Sequence, residues 1–266
     1  MKTTDALVGF SGFVGSTLLK QRDFAEKFRS TNIQSISGKA FDTVVCAAAP
    51  AQKWIANREP GEDRRKVEAL ISYLDTMSCN TFILVSTVDV FKSPLAVDED
   101  SSIEEEGLHA YGLHRWLLEK YVQNRFEDSL VVRLPGLVGP GLRKNVIFDL
   151  HNDNNLSAID SRAVFQFYPM VNLWYDIQTA RQAGLKLVHL TAEPVSVAEI
   201  ARLGFGRDFD NALDSKPAVY DMRTRYADLF GVPGGYQYSK RDTINLVRAY
   251  AQSEPVRQNE KRVGEA

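Results

Sequence analysis

Near its start the chain reads Ala6-Leu7-Val8-Gly9-Phe10-Ser11-Gly12-Phe13-Val14-Gly15-Ser16-Thr17-Leu18-Leu19. A short apolar run ends in three glycines spaced three apart, which predicts a strand, a tight turn and the start of a helix. Gly9 would permit the turn, Gly12 would let the backbone approach a pyrophosphate, and Gly15 would let the helix pack closely on the strand. The alternative is an ordinary glycine-rich turn. The cofactor contacts expected from this dinucleotide-binding unit are Gly9, Ser11, Gly12, Phe13, Val14 and Gly15.

The segment that follows bears on the choice between NAD and NADP. Residues 24–30 predict a second strand, and NAD-binding folds usually end this strand with an acid that bonds the ribose 2′-hydroxyl. Here the strand end reads Phe28-Arg29-Ser30-Thr31-Asn32, without an acid. An arginine beside hydroxyl groups suits a 2′-phosphate, so the sequence favours NADP, with Arg29 and Ser30 in contact with it. NAD stays open, because Arg29 could equally be a solvated loop residue.

The composition excludes several classes of function. The chain has 266 residues, 44% of them hydrophobic and 25% charged, with a formal net charge of −2. It has no basic excess that would indicate a nucleic-acid or anionic-membrane partner. We expect a cytoplasmic protein, because no signal peptide and no apolar run near 18 residues is present. Cys46 and Cys79 lack metal-ligand spacing, so we expect free thiols and no metal site.

Strands alternate with helices along the remaining chain. The predicted strands are 41–49, 81–87, 130–134 and 185–190, and the predicted helices include 60–77, 111–126 and one near 241–251. This alternation predicts an α/β fold, a Rossmann-like doubly wound parallel sheet with a small C-terminal substrate-binding lobe. Residues 1–135 would form the dinucleotide-binding domain, with elements returning at about 171–192. Residues 136–170 and 193–266 would form the lobe.

Three residues could carry chemistry. Thr87 ends a predicted strand, at the sheet edge where open α/β sheets bind ligands. Tyr111 and Arg115 are four residues apart and share one helix face. A phenol has an ordinary pKa of about 10, and a fixed cation together with a cationic nicotinamide ring would lower it into a useful range. Tyr111 would then act as acid or base, and Thr87 would bond the substrate oxygen.

Five segments together resemble the extended short-chain dehydrogenase/reductases, the NAD-dependent epimerase/dehydratase family that modifies nucleotide sugars. They are Gly9-x-x-Gly12-x-x-Gly15, Ala47-Ala48-Ala49, Ser86-Thr87-Val88-Asp89-Val90-Phe91, Tyr111-x-x-x-Arg115 and Arg133-Leu134-Pro135-Gly136-Leu137-Val138-Gly139-Pro140-Gly141. The resemblance implies hydride transfer between NAD(P) and a sugar or nucleotide sugar, and a homodimer as the usual assembly. It implies further cofactor contacts at Ala47, Ala48, Ala49, Tyr111, Arg115, Leu134 and Pro135.

The sequence departs from the family in two places. The family's active-site lysine is Arg115 here, which keeps the charge but changes its bulk and donor geometry. Dehydratases of the family place an acid directly after the threonine, where this chain has Val88, and that argues against dehydration. A reductase or epimerase is therefore expected. The alternative is a cofactor-binding protein with little or no catalysis, which acts as a sensor or assembly partner.

Other side chains are weighed as substrate contacts. Lys53 and Asn145 are predicted to bind the substrate, Asn145 within a cationic cluster that includes Arg143 and Lys144. His114 could lie near the substrate, but a place on the helix surface is favoured. The unaltered Tyr236-x-x-x-Lys240 motif is expected to be structural, because it lies far in sequence from Thr87. The side chains of Tyr121-x-x-x-Arg125 are expected to pack against neighbouring residues or to be exposed to solvent.

Overall fold

The computed structural model describes residues 4–232 and 234–257. Its strands are β1 (Asp5–Val8), β2 (Glu26–Phe28), β3 (Ala40–Cys46), β4 (Ser78–Thr87), β5 (Leu95–Val97), β6 (Ser129–Leu134), β7 (Gly136–Val138), β8 (Val164–Phe165), β9 (Phe167–Pro169), β10 (Leu187–His189), β11 (Val195–Ser196) and β12 (Asp221–Met222). Its α-helices are α1 (Phe13–Gln21), α2 (Lys53–Arg58), α3 (Pro60–Leu74), α4 (Ala110–Arg125), α5 (Val146–His151), α6 (Leu173–Gln182), α7 (Val197–Glu199) and α8 (Lys240–Ser253).

Six parallel strands form the central sheet, in the order β10-β6-β4-β3-β1-β2. The chain leaves β1 toward β2 on one side and returns to β3 on the other, so the strand order reverses at β1. Val8 pairs with Cys46 at the ends of β1 and β3, which brings the two following loops together at this reversal. Open α/β sheets bind their ligands in such a crevice. The prediction of a Rossmann-like parallel sheet is confirmed.

Helices cover both faces of the sheet. On one face Val67 and Leu74 of α3 and Leu118 of α4 pack in a core with β-strand residues. On the other face Leu18 of α1 and Ile177 of α6 do the same. Strands buried on both faces read as continuous apolar runs rather than as an alternation, which is why these segments could be identified in the sequence.

A separate apolar cluster lies among the later elements. It includes Val138 of β7, Ile147 of α5, Val197 of α7 and Val247 of α8. Ser196 begins α7 with the capping box that its sequence predicts, because its hydroxyl accepts from the Glu199 amide and Glu199 accepts in return. The division of the chain into a domain and a lobe stays a prediction.

Several element boundaries differ from those expected. β2 ends at Phe28 rather than at residue 30, because the Arg29 amide donates to Asn32 Oδ1 at 2.7 Å and turns the chain. β3 ends at Cys46, so the three alanines follow the strand. β4 begins at Ser78, which pairs with Ala40.

Within the described ranges, no helix is long and apolar enough to cross a membrane. Both cysteines are free thiols, as predicted. Burial raises the pKa of Cys46 to about 11, so this thiol stays protonated at neutral pH and belongs to the core.

Candidate active site

A cavity of about 590 Å³ lies at the carboxyl ends of the sheet strands, where β1 and β3 meet. It runs from the glycine turn to the first turn of α4. The predicted site residues in its wall are Gly9, Ser11, Gly12, Phe13, Val14, Arg29, Ser30, Ala47, Ala48, Ala49, Thr87, Tyr111, Arg115, Leu134 and Pro135. Gly15, Lys53 and Asn145 are not part of this wall. One cavity thus joins the segments predicted to bind the cofactor with those predicted to carry the chemistry.

The glycine turn has a geometry that larger residues would prevent. Gly9 has φ +90°, and a Cβ on it would lie 2.5 Å from the Ala47 carbonyl oxygen. A Cβ on Gly15 would lie 2.2 Å from the Gly9 carbonyl oxygen. Gly12 caps α1 without a side chain, so the first amides of the helix carry no side-chain partner. This end of the cavity fits a phosphate group, which such amides and the helix dipole bind.

The charges in the cavity wall are all positive. Among the described residues its wall has no carboxylate, and its cations are Arg29, Lys66, Arg115 and Lys144. Such a wall favours an anionic ligand. No group of three or more His, Cys, Asp or Glu side chains that could hold a metal ion was found in the described ranges.

Arg29 lies at the cavity edge next to the glycine turn. It is exposed, its Nε donates to Thr31 Oγ1 at 2.9 Å, and its guanidinium lies 5.7 Å from the Phe10 ring centroid. The only nearby acid of β2, Glu26, is bound to Lys39 instead. Arg29 and Ser30 therefore line the cavity without a carboxylate beside them.

Tyr111 is brought to Thr87 by close packing at the start of α4. A Cβ on Gly112 would lie 2.0 Å from the Asp89 carbonyl oxygen, so only glycine lets α4 approach the turn that follows β4. The His109 ring accepts from the Gly112 amide at 3.0 Å and caps the helix. Thr87 and Tyr111 both line the cavity, and the Thr87 side chain is close enough to the phenol to affect its pKa. Two of the three predicted catalytic side chains therefore lie near each other.

In the protein alone, the pKa of the Tyr111 phenol lies above its ordinary value. Burial raises the pKa of the Tyr111 phenol, and the charge of Arg115 opposes this rise without overcoming it. The charge of Asp89 adds to the rise that burial causes. Tyr111 is thus a protonated acid at neutral pH.

Arg115 is a buried member of an ion pair. Its Nη2 donates to Asp63 Oδ1 at 2.9 Å, its Nη1 donates to the other oxygen of Asp63, and Nη2 also donates to the Pro50 carbonyl. Its guanidinium carbon lies 4.0 Å from the Tyr111 ring centroid. Only 2% of Arg115 is exposed, and its Nε has no partner among the described residues. Most of its charge is therefore compensated by Asp63.

Asp63 and His114 were not identified as site residues in the sequence. His114 Nδ1 lies 2.7 Å from Asp63 Oδ2, and His114 is buried, so its expected place on the helix surface is wrong. Burial alone would raise the pKa of Asp63, but hydrogen bonds from Arg115 and His114 outweigh it and hold that pKa below its ordinary value. A signal was present, because Asp63 shares its helix face with Val67 and Leu74. An acid in an apolar stripe indicates a buried partner.

A second buried ion pair lies behind Thr87. Arg133 Nη2 donates to Glu119 Oε2 at 2.7 Å, and Glu119 also accepts from the Ser86 hydroxyl. Arg133 Nη1 lies 3.3 Å from His189 Nε2, which links β6 to β10. Since Ser86 precedes Thr87 on β4, this network fixes the end of the strand that carries Thr87.

Lys53 and Asn145 have other partners than the predicted substrate. The Lys53 ammonium lies 2.7 Å from Asp89 Oδ1 and 3.2 Å from the Tyr220 hydroxyl, so its charge is paired. Asn145 has φ +103°, accepts from the Ile147 amide at 2.9 Å and donates to the Leu137 carbonyl at 2.8 Å. Its amide caps α5, and the substrate contacts of Lys53 and Asn145 stay predictions.

The two other tyrosine motifs lie outside the cavity wall. The Tyr236 hydroxyl donates to Asp221, and Lys240 pairs with Glu199 at 2.8 Å. Tyr121 and Arg125 both bond Asp75, each at 3.2 Å. Their structural partners agree with the roles expected from the sequence.

No family model matches the chain, and no curated protein matches it by sequence. Solved structures do resemble it. A UDP-N-acetylglucosamine 4-epimerase from Methanobrevibacter ruminantium has a TM-score of 0.71 at 11% identity, over 94% of this chain and 97% of the other. The dTDP-4-dehydrorhamnose reductase of Yersinia enterocolitica has 0.70 at 13%, over 94% and 99%. That of Bacillus anthracis, solved with NADP, has 0.70 at 14%, over 96% and 99%.

These similarities concern the fold. The chain has the fold of the extended short-chain dehydrogenase/reductase structures, as its sequence motifs predicted. Identities of 11 to 14% leave the reaction open, since one fold supports many chemistries.

Proposed function

We propose that the protein is an NAD(P)-dependent oxidoreductase or epimerase that acts on a sugar or nucleotide sugar by hydride transfer. The observation that carries this proposal is the pairing of Tyr111 with Thr87 in a cavity that also contains the glycine turn. The names of the structural neighbours agree with it, since they include a nucleotide-sugar epimerase and two nucleotide-sugar reductases.

The roles of the side chains follow from their protonation. A bound nicotinamide would supply or accept the hydride. Tyr111 is protonated, because burial raises its pKa, so its hydroxyl can donate a proton to a carbonyl oxygen. Thr87 can donate a second hydrogen bond to the same oxygen and hold it in place. The same pair would serve the reverse step, oxidation of a hydroxyl, with Tyr111 accepting the proton.

A panel of substrates tests the proposal. The purified protein is incubated with NADPH or NADH and with nucleotide sugars and their keto derivatives, and the cofactor is followed at its reduced-nicotinamide absorbance. A reductase consumes one reduced cofactor for each product, whereas an epimerase changes the sugar without net consumption. We expect Tyr111→Phe to lower turnover about 100-fold or more.

A cofactor-binding protein with little catalysis is the second candidate. The buried Arg115–Asp63 pair favours it, because a carboxylate engages Arg115 and the charge of Arg115 does not overcome the effect of burial on the Tyr111 pKa. If the protein binds the cofactor tightly but turns over no sugar, and Tyr111→Phe does not change cofactor binding, this candidate is supported and the enzyme is rejected.

The cofactor preference has its own test. We propose that Arg29 contacts the 2′-phosphate of NADP. Arg29→Ala should raise the Kd for NADPH about tenfold more than the Kd for NADH, which corresponds to about 1.4 kcal/mol. Lys27→Ala is the matched control, because Lys27 is an exposed cation two residues away and outside the cavity wall. Equal effects of Arg29→Ala on both cofactors would reject the assignment.

A further inference from the structure

The four cations of the cavity wall differ in their partners. Arg115 is paired with Asp63, and Lys66 lies 3.4 Å from Glu62. Arg29 lies beside the glycine turn, away from Tyr111. Lys144 forms no ion pair among the described residues, and its ammonium donates to a neutral acceptor, the Ala51 carbonyl oxygen. We call the end of the cavity with Thr87, Tyr111 and Arg115 the reactive end. The charge of Lys144 is therefore the uncompensated positive charge near this end.

Lys144 belongs to a loop that faces the alanine segment. The loop joins β7 to α5, and Ala51 lies just beyond the alanines that follow β3. The hydrogen bond between them joins residues 93 positions apart. Lys144 is an exposed residue that lines the cavity. Partial burial of its ammonium and the charge of Arg115 both lower its pKa, which agrees with a place near Arg115.

The backbone beside Lys144 is fixed by its neighbour. Asn145 has φ +103°, a conformation that side chains other than glycine rarely adopt. Its amide nitrogen donates to the carbonyl of Leu137, which lines the same cavity, and its amide oxygen caps α5. These bonds hold the strained residue, and they fix the point from which the Lys144 side chain enters the cavity.

We propose that Lys144 is the binding cation of the reactive end, where its ammonium hydrogen-bonds a phosphate oxyanion of the ligand. The present bond to the Ala51 carbonyl has one charged partner, the ammonium, and a phosphate oxyanion would add a second, opposite charge. Asp63 compensates the positive charge of Arg115. Lys144 would therefore supply the uncompensated positive charge in its place. This inference rests on the proposed function, because it assumes that the cavity takes a phosphate-bearing ligand. The phosphate belongs either to the dinucleotide or to a nucleotide sugar.

Binding measurements on two ligands distinguish these sources. Kd is measured for NADPH by fluorescence and for UDP-glucose by calorimetry, with the wild type, Lys144→Met, Lys144→Arg and Arg143→Met. We expect Lys144→Met to weaken at least one ligand about tenfold to 100-fold, and the affected ligand identifies the source of the phosphate. Lys144→Arg should recover part of the loss. Arg143→Met is the matched control, because Arg143 is exposed and outside the cavity wall.

The outcomes distinguish failure of the proposed Lys144 role from failure of the proposed function. If the wild type binds NADPH and Lys144→Met binds every ligand of the wild type with an unchanged Kd, the role of Lys144 is overturned and the proposed function stands. An equal loss of ligand affinity in Arg143→Met also overturns the role of Lys144, because the loss then follows from removing any positive charge near the cavity. If the wild type binds neither NADPH nor NADH, the proposed function fails, and this inference fails with it.

Discussion

The chain contains an altered tyrosine motif, Tyr111-x-x-x-Arg115, and an unaltered one, Tyr236-x-x-x-Lys240, and the altered one lies in the cavity. In both, a carboxylate binds the basic residue, Asp63 at Arg115 and Glu199 at Lys240. The two tyrosines differ more. Tyr111 lies beside Thr87 in the cavity wall, whereas the Tyr236 hydroxyl donates to Asp221.

The difference teaches that position in the sheet determines what such a motif can do. The first motif begins α4, which packs against the turn after β4, at the edge where ligands bind. The second spans the start of α8, far from that edge. The buried pair beneath Tyr111 also differs in kind from the half-exposed pair at Lys240, and this contrast can be measured.

The largest expected effect comes from removing the two carboxylates. Asp63→Asn leaves the buried Arg115 charge without its partner, so we expect the free energy of unfolding to fall by about 3–5 kcal/mol. Glu199→Gln leaves Lys240 free to solvate and keeps a capping side chain, so we expect a loss of at most about 1 kcal/mol. Urea unfolding measures both. Losses of equal size would contradict the contrast between the two motifs.

A smaller effect is expected from the glycine beside each tyrosine. Gly112→Ala places a Cβ 2.0 Å from the Asp89 carbonyl oxygen and pushes α4 away from Thr87. We expect a loss of about 1–3 kcal/mol in stability and of about 100-fold in turnover. The matched control is Gly235→Ala, whose Cβ would lie 3.3 Å from the flexible Arg223 side chain. Turnover of Gly112→Ala at the wild-type rate would show that Tyr111 does not depend on this packing.

Low pH should reduce the contribution of both ion pairs, Asp63–Arg115 and Glu199–Lys240, to the stability of the protein. Burial would raise the pKa of Glu199, but hydrogen bonds from Lys240 and Ser196 outweigh it and lower that pKa to about 2. The pKa of Asp63 is also lowered. A lowered folded-state pKa stabilises the protein above the unfolded value and loses this contribution as pH falls.

Unfolding free energies at several pH values test this expectation. The stability gap between the wild type and Asp63→Asn should narrow as pH falls through the ordinary aspartate value of 3.8. The gap for Glu199→Gln should narrow between pH 4.5 and about 2. If either difference in unfolding free energy grew as the pH falls, the ion pair concerned would not stabilise the folded protein as proposed.

The sequence predicted the sheet and the glycine turn well, because both depend on local pattern. Apolar runs identify buried strands, and the glycines Gly9 and Gly15 are required by backbone contacts within the same βαβ unit. The order of Thr87 and Tyr111 along the chain also sufficed to place them at one sheet edge.

The charges of the reactive end could not be predicted in the same way. Asp63 lies 52 residues from Arg115, and Lys144 reaches Ala51 across 93 residues. Such pairings depend on how helices and loops meet after folding, and a sequence motif does not encode them. Lys53 and Asn145 show the converse, since both had suitable chemistry and folding gave each another partner.

The two tyrosines provide the most direct test of the central claim. The initial rate of NADPH oxidation with an accepted keto sugar nucleotide is compared in the wild type, Tyr111→Phe and Tyr236→Phe. The account predicts that Tyr111→Phe lowers the rate about 100-fold or more while NADPH still binds, and that Tyr236→Phe retains the wild-type rate. Equal rates in the wild type and Tyr111→Phe, or a loss confined to Tyr236→Phe, would contradict it.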